Sequence, residues 1–177
     1  MASIPETSHL EMAINLSAKQ IWQNLFVEDF IKIVESFGID HSKLIAEVTE
    51  SVLIQDITDA TEKLTKLKQY GVSISLDDFG TGYSSLNYLR SLPIDEIKID
   101  KSFINDITKD KQALLMVKSI IDLAKNFDMS LVSEGVEERE QLTLLKELGV
   151  STYQGYYFSK PVPVEEMSAL LLNNMER

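Results

Sequence analysis

Short strand-like segments alternate with helix-like segments along the chain, and this alternation constrains the fold more than any other feature. Six segments have the apolar patterning of strands, and apolar residues at helical spacing follow five of them. The predicted strands are 12–17, 44–50, 72–78, 94–100, 130–136 and 152–158. Because strands that alternate with helices form parallel sheets, the chain is predicted to be an α/β protein.

Apolar stripes at helical spacing predict the helices that connect these strands. Three of the stripes are followed directly by glycine, which favours the left-handed conformation that ends many helices. The stripes cover 27–37, 64–70, 114–127 and 142–148, and a last helix is predicted after Pro163.

The side-chain pattern within two predicted strands favours a barrel over an open sheet. In segment 72–77 the even positions are apolar, whereas two serines and Asp77 occupy the odd positions. In segment 96–100 Lys98 likewise lies on the face opposite two isoleucines. An open sheet covered by helices on both faces would be apolar on both. One polar face is expected where strands surround a functional interior, so we predict a (β/α) TIM-type barrel.

Composition and charge exclude several functional classes. The formal net charge of −11 argues against a nucleic-acid-binding surface. We find neither a signal peptide nor an apolar stretch long enough to span a bilayer, which predicts a chain without membrane contact. The absence of cysteine fits a reducing compartment, and a cytoplasmic location is expected.

Polar residues collect at or near the C-terminal ends of the predicted strands. In a parallel barrel these ends all lie on one face, where converging carboxylates repel each other unless a cation neutralises them. Oxygen ligands suit hard cations such as Mg²⁺ or Mn²⁺. The neighbours Asp77 and Asp78 could hold two metal ions, as two-metal phosphoryl hydrolysis requires. Taken alone, the same pair is more typical of a solvated turn.

Six motifs resemble, in order, the successive motifs of the EAL-domain family of bacterial cyclic di-GMP phosphodiesterases. They are NLS at 15–17, EVTES at 47–51, DDFGTGYSSL at 77–86, IKIDKSF at 97–103, SEGVE at 133–137 and QGYYFSKP at 154–161. The resemblance covers the chain from about Met12 onward. It implies hydrolysis of cyclic di-GMP to pGpG in second-messenger signalling, with a site for two Mg²⁺ or Mn²⁺ ions.

The resemblance also implies which residues hold the metal ions. Asn15, Glu47 and Asp77 would hold the first ion. Asp77 would also bridge to the second ion, and Asp78 would complete its site. Glu134 would serve either as a metal ligand or as the general base.

Four further residues receive roles from the same resemblance. Lys98 would orient or polarise the attacking water, and Gln154 would brace the water and the metal ligands. Glu50 would hold the loop that follows the Asp pair, and Glu137 would support the site from outside the ligands. Two alternatives stay open. Lys98 and Glu96 could form a plain interior ion pair, and Glu50 and Glu137 could be solvated surface residues without a role in the site.

The chain departs from the family pattern at its N-terminus, because it contains no Glu-Ala-Leu triplet ahead of residue 15. We predict that residues 1–11 are a tag-like or disordered leader. Residues 12–177 are then a partial EAL domain with about six of the eight barrel strands. The absent motif would carry another metal-binding glutamate and a phosphate-binding arginine, so impaired activity is expected.

Two other functions compete with hydrolysis of cyclic di-GMP. One is a non-catalytic module that binds cyclic di-GMP or a protein partner, as degenerate members of the family do. The other is an unrelated barrel enzyme that uses Lys98 as an acid or base with one Mg²⁺ ion. Every later motif position is intact, which favours the phosphodiesterase.

The chain is also predicted to self-associate, through open strand edges beside 12–17 and 152–158 or as a homodimer through 85–95. The second contact would use Leu86, Tyr88 and Leu89. The nearby glycines Gly80 and Gly82 would let the loop rearrange and couple this contact to the metal ligands.

Overall fold

A computed structural model describes residues 10–81 and 86–175. In this part of the chain, six parallel strands pair in sequence order to form one sheet that curls into a half-barrel. The strands are β1 (Met12–Asn15), β2 (Leu44–Thr49), β3 (Ser73–Phe79), β4 (Glu96–Ile99), β5 (Ser130–Ser133) and β6 (Thr152–Tyr153). The predicted α/β class is therefore confirmed.

Helices connect each strand to the next. They are α1 (Ala18–Ile21), α2 (Phe26–Ser36), α3 (Glu50–Gln55), α4 (Ile57–Gln69), α5 (Leu86–Ser91), α6 (Lys101–Asn105), α7 (Lys111–Asn126) and α8 (Arg139–Glu147), and α9 (Val164–Met175) follows β6. A short 3₁₀ helix, His41–Lys43, precedes β2. Among the described helices, none combines the length and the apolarity needed to cross a membrane.

Local signals in the sequence explain where the longer helices begin and end. The Asp56 side chain accepts a hydrogen bond from the backbone at the start of α4, and Asp110 does the same for α7. Gly38, Gly71 and Gly149 follow the ends of α2, α4 and α8 with positive φ angles, as the sequence predicted.

The two faces of the sheet differ as the alternating pattern predicted. Ile74 and Leu76 of β3 are fully buried in the same apolar core as Leu64 and Leu67 of α4. The opposite face of the strands carries buried polar groups, among them Ser75. The helices therefore cover the apolar face, and the polar face lines the inside of the curl.

The last two predicted strands are shorter than the sequence indicated, and the strand prediction for 154–158 is wrong. Beyond Tyr153 the chain turns so that Gly155 lies directly against Val136. A Cβ atom on Gly155 would be 2.1 Å from the Val136 carbonyl oxygen and 2.4 Å from its nitrogen. The Tyr157 N–H donates to the same carbonyl oxygen, at 3.0 Å. Close backbone packing therefore replaces the sheet ladder here.

We expect Gly155→Ala to lower the free energy of unfolding by about 2 kcal/mol, because the added methyl group forces the two backbones apart. Urea unfolding of the purified chain measures this loss. Gly38→Ala is the control, since no atom lies within 4 Å of a Cβ at that position and its cost arises from the positive φ alone. A Gly155 variant as stable as the unaltered chain would contradict the close packing.

Candidate functional site

A buried ammonium group lies at the centre of the polar face. The Lys98 Nζ atom is 2.8 Å from a carboxylate oxygen of Glu47, 2.7 Å from one of Glu134 and 3.2 Å from one of Asp77. Only 4% of the Lys98 side chain is exposed. Three acidic residues from three strand ends thus converge on one cation, as expected where parallel strands end on one face.

Strand register explains why these residues meet. Asn15, Glu47, Ser75, Glu96 and Ser130 are successive partners across five neighbouring strands. Partners in a parallel sheet share a face, so these residues form one polar row inside the curl. The Glu96 carboxylate accepts hydrogen bonds from Ser75 at 2.8 Å and from Ser130 at 3.3 Å.

The ion pair between Lys98 and Glu96, which the sequence left open, is not among the ion pairs of the described residues. Lys98 instead pairs with Glu47, Asp77 and Glu134. Glu96 lies two residues before Lys98 and on the same face of β4. Its two carboxylate oxygens accept hydrogen bonds from Ser75 and Ser130 on the neighbouring strands instead.

A β-bulge brings Asp77 and Asp78 to the same place. Leu76 pairs with Ile97 and Phe79 pairs with Ile99, so β3 contains one residue more than β4 over this stretch. Asp78 has the left-handed φ angle of 56°, which is uncommon for a residue other than glycine. Without the bulge, adjacent side chains would point to opposite faces of the sheet.

The bulge produces a cluster that can hold a cation. Asp77, Asp78 and Glu134 each offer a carboxylate oxygen, and these oxygens lie within 4.8 Å of one another. An oxygen-only donor set of this kind fits a hard divalent cation. The Asp77 carboxylate also accepts a hydrogen bond from the Asp78 N–H, and Thr81 Oγ1 donates to the Asp78 carbonyl oxygen. These bonds stabilise the bulged conformation.

Lys98 is positively charged at neutral pH. Burial by itself would lower the pKa of Lys98, but hydrogen bonds to Glu134 and Glu47 outweigh burial and raise the pKa above its ordinary value. An ammonium group donates hydrogen bonds and cannot accept a proton. The alternative in which Lys98 acts as a general base therefore fits this geometry poorly.

Two carboxylates of the cluster bind protons more readily than usual. Burial raises the pKa of Glu134, and the hydrogen bond from Lys98 offsets this only in part. Burial also raises the pKa of Asp78, and the negative charges of Asp77 and Asp100 add to the effect. Burial is the main cause of both pKa shifts, and the negative charge of neighbouring carboxylates adds to each.

Asp100 belongs to this site, although the sequence analysis gave it no role. Its carboxylate accepts a hydrogen bond from the Ser102 N–H and so caps α6. Hydrogen bonds from the Ser102 side chain and backbone outweigh burial and lower the pKa of Asp100. The signal available in the sequence was its place two residues after Lys98, at the C-terminal end of the predicted strand 94–100.

Three predicted site residues are exposed. Asn15 is exposed at the end of β1, beside Glu47 in the sheet register. Gln154 is exposed just after β6, and its backbone bonds to Ser133 and Val136. Glu137 is exposed, as its solvated alternative expects.

Glu50 is different, because its side chain is buried. It is the first residue of α3 rather than the last residue of a strand, and it is only 7% exposed. Neither carboxylate oxygen has a hydrogen-bond partner among the described residues. The preceding residue, Thr49, pairs with Asp77 in the sheet register. The solvated alternative is therefore wrong for Glu50. Gly82 and residues 83–85 of the predicted loop lie outside the described residues.

Comparison with known proteins gives a consistent result. A family model of the EAL domain matches residues 1–161. The cyclic di-GMP phosphodiesterase NbdA of Pseudomonas aeruginosa is 39% identical over 162 residues, which cover 92% of this chain and 21% of NbdA. The chain spans about a fifth to a quarter of the length of the curated relatives that it matches.

Solved structures agree with this match. The EAL domain of Mycobacterium smegmatis DcpA has a TM-score of 0.89 at 39% identity, over 94% of this chain and 75% of that one. Klebsiella pneumoniae BlrP1 with calcium and cyclic di-GMP has a TM-score of 0.82 at 28% identity. The match covers 90% of this chain and 41% of the BlrP1 chain. The complex of BlrP1 with manganese and cyclic di-GMP has a TM-score of 0.79 at 29% identity, and the match covers 85% of this chain and 39% of the BlrP1 chain. The predicted TIM-barrel class is thereby confirmed.

Proposed function

The chain belongs to the EAL domain family, and from this premise we propose that it hydrolyses cyclic di-GMP to pGpG with two divalent ions, Mg²⁺ or Mn²⁺. The observation that carries the proposal is the cluster of Asp77, Asp78 and Glu134 beside the buried Lys98. The phosphodiesterase NbdA and the complexes of BlrP1 with metal ions and cyclic di-GMP support it.

The acidic residues of the cluster would hold the ions. Asp77, Asp78 and Glu134 are the ligands that already lie together, and Asn15 and Glu47 are the neighbours on the adjoining strands. When bound, divalent ions supply Lewis-acid charge that neutralises phosphate oxygens and makes water a stronger nucleophile at neutral pH.

The remaining chemistry belongs to side chains of this chain. The water oxygen attacks the phosphorus of one phosphodiester, and the bond to the 3′ oxygen breaks. Where Glu134 does not itself bind an ion, it takes the proton of the water as general base, a role that its raised pKa favours. The leaving 3′ oxygen takes a proton from solvent water, which gives the linear product. The Lys98 ammonium polarises the water through its positive charge, because its three N–H groups already face Glu47, Asp77 and Glu134. Gln154 supports the water and the ligands, and Glu137 supports the site from outside the ligands.

Hydrolysis is tested by incubating the chain with cyclic di-GMP and either ion, and by following pGpG with chromatography. We expect slow formation of product with Mn²⁺ or Mg²⁺, as the impaired activity predicted from the sequence implies, and no product with a chelator. Calorimetry with cyclic di-GMP is the parallel measurement. Ligand binding without any turnover, in the presence of either ion, would contradict hydrolysis and support the non-catalytic binding module instead.

We further propose that Glu50 acts as a latch between the cluster and the loop after β3. Glu50→Ala is expected to lower both Mn²⁺ affinity and turnover by about tenfold. The unfolding midpoint should not fall, because the variant removes a buried carboxylate that has no partner among the described residues. Glu62→Ala, at an exposed position of α4, is the control. A Glu50 variant with unchanged metal dependence and turnover would leave the latch without support.

Self-association through strand edges is also proposed. In the described part of the chain, β1 and β6 each pair with one strand, and the exposed aromatic residues Tyr157 and Phe158 follow β6. We expect light scattering to give a mass that rises with concentration, and Phe158→Lys to suppress the rise. Phe37→Lys, just after α2, is the matched exposed control. A constant monomer mass at high concentration would contradict the contact.

The second predicted contact, through residues 85–95, loses one of its members. Leu89 is 3% exposed and belongs to the core, so it cannot contribute to a dimer surface. Residue 85 and the side chains of Leu86 and Tyr88 lie outside the described residues.

A further inference from the structure

Gln141 is a polar residue of α8 that is almost completely buried, with 3% of its surface exposed. Its Oε1 atom accepts hydrogen bonds from the backbone N–H groups of Glu137 and Glu138, both at 2.9 Å. Its Nε2 atom donates to the carbonyl oxygen of Ile104 in α6, at 3.2 Å. One side chain thus joins the loop before α8 to a helix that lies 37 residues earlier in the chain.

We propose that Gln141 is a positioning residue, which fixes the segment 134–138 against α6 and so places the Glu134 carboxylate at the cluster. The inference rests on the proposed function, because Glu134 is taken there as a metal ligand or as the general base. A glutamine that only caps a helix needs its oxygen alone. Gln20 at the start of α1 shows this, since its Oε1 accepts from Ser17 while the residue stays exposed.

A second contact holds the same segment against the same helix. Gly135 has a φ angle of 67°, and a Cβ atom there would be 2.4 Å from the Lys101 Cβ atom. Lys101 is the first residue of α6 and directly follows Asp100. Between the two contacts lies Val136, which is fully buried and whose N–H donates to the Gln154 carbonyl oxygen.

The consequence concerns geometry at the cluster. Glu134 directly precedes Gly135, and α6 directly follows the strand that carries Lys98. Holding the segment to α6 therefore fixes the Glu134 side chain relative to Lys98, to which it is bonded at 2.7 Å. Metal ligands depend on such supporting hydrogen bonds for their orientation.

The test distinguishes a Gln141 that holds the segment 134–138 against α6 from a Gln141 that only caps α8. Gln141→Glu keeps an oxygen for the two N–H groups but removes the donor to Ile104. Gln141→Met removes both and serves if the buried carboxylate prevents folding. Asp110→Ala is the matched control, because it deletes a helix cap outside the cluster. The Asp110 carboxylate accepts a hydrogen bond from the Gln112 N–H, at 2.8 Å, at the start of α7.

Two measurements are made on the full chain: amide hydrogen exchange across 134–138 without metal, and Mn²⁺ titration by calorimetry. We expect about tenfold faster exchange in the Gln141 variants and about tenfold weaker Mn²⁺ binding, with neither effect in the Asp110 variant. Exchange that stays unchanged would overturn the inference, whatever happens to hydrolysis. Faster exchange with Mn²⁺ affinity unchanged would overturn it as well.

The exchange experiment also separates this inference from the proposed function. If the unaltered chain binds no Mn²⁺ but the variants exchange faster than the control, Gln141 fixes the segment and the metal part of the proposed function fails.

Discussion

Asp77→Asn is expected to reduce hydrolysis of cyclic di-GMP by at least about 100-fold, equal to about 2.7 kcal/mol in the activation free energy. The carboxylate of Asp77 contacts the Lys98 ammonium and shares the cluster with Asp78 and Glu134. Under the proposed function it serves both ions. Asparagine keeps the shape and can still accept the Asp78 N–H, so the loss reports charge rather than packing.

The measurement is the initial rate of pGpG formation at saturating Mn²⁺, together with Mn²⁺ affinity by calorimetry, which requires no turnover. Asp122→Asn, at an exposed position of α7, is the control and should match the unaltered chain. Retention of more than about a tenth of the rate, a loss below ~1.4 kcal/mol, would exclude a bridging role for Asp77.

Lys98→Met should produce the largest loss of stability, about 3–5 kcal/mol in the absence of metal. The variant leaves the acidic groups of Glu47, Asp77 and Glu134 close together and largely buried, with no cation between them. Because a divalent ion can neutralise these carboxylates, Mn²⁺ should recover part of the lost stability. The recovery should exceed the gain that Mn²⁺ gives the unaltered chain.

Urea unfolding with a chelator and with Mn²⁺ measures both effects. Lys68→Met is the matched control, because Lys68 forms a partly exposed ion pair with Asp95 at 2.7 Å and should contribute less than about 1 kcal/mol. If the two variants lose the same stability, the buried network does not hold the strand ends together.

Much of the fold follows from local patterns. The alternation of strand-like and helix-like segments predicted a parallel α/β sheet, and the even and odd positions of 72–77 separated the helix-covered face from the polar one. Side-chain direction in a strand repeats every two residues, so the sequence alone reveals which residues share a face. The polar strand ends could likewise be placed together, because parallel strands all end on the same side.

Other features of the site depend on contacts between distant residues. The sequence predicted that Asp77 and Asp78 share a site but gave no reason for adjacent side chains to converge. The bulge provides that reason, and it exists only in the register between β3 and β4. The strand prediction for 154–158 failed in the same way, because the packing of Gly155 on Val136 takes this segment out of the sheet.

The residues around the cluster show the same difference between local sequence pattern and long-range contact. The sequence by itself determined that Lys98 and several carboxylates lie on one face of the barrel. Only the tertiary structure decided that Lys98 pairs with Glu134 rather than Glu96, and that Gln141 ties the Glu134 segment to α6. The physical reason is that local patterning fixes the direction of a side chain, whereas hydrogen-bond partners depend on strand register and helix packing between residues far apart in the chain.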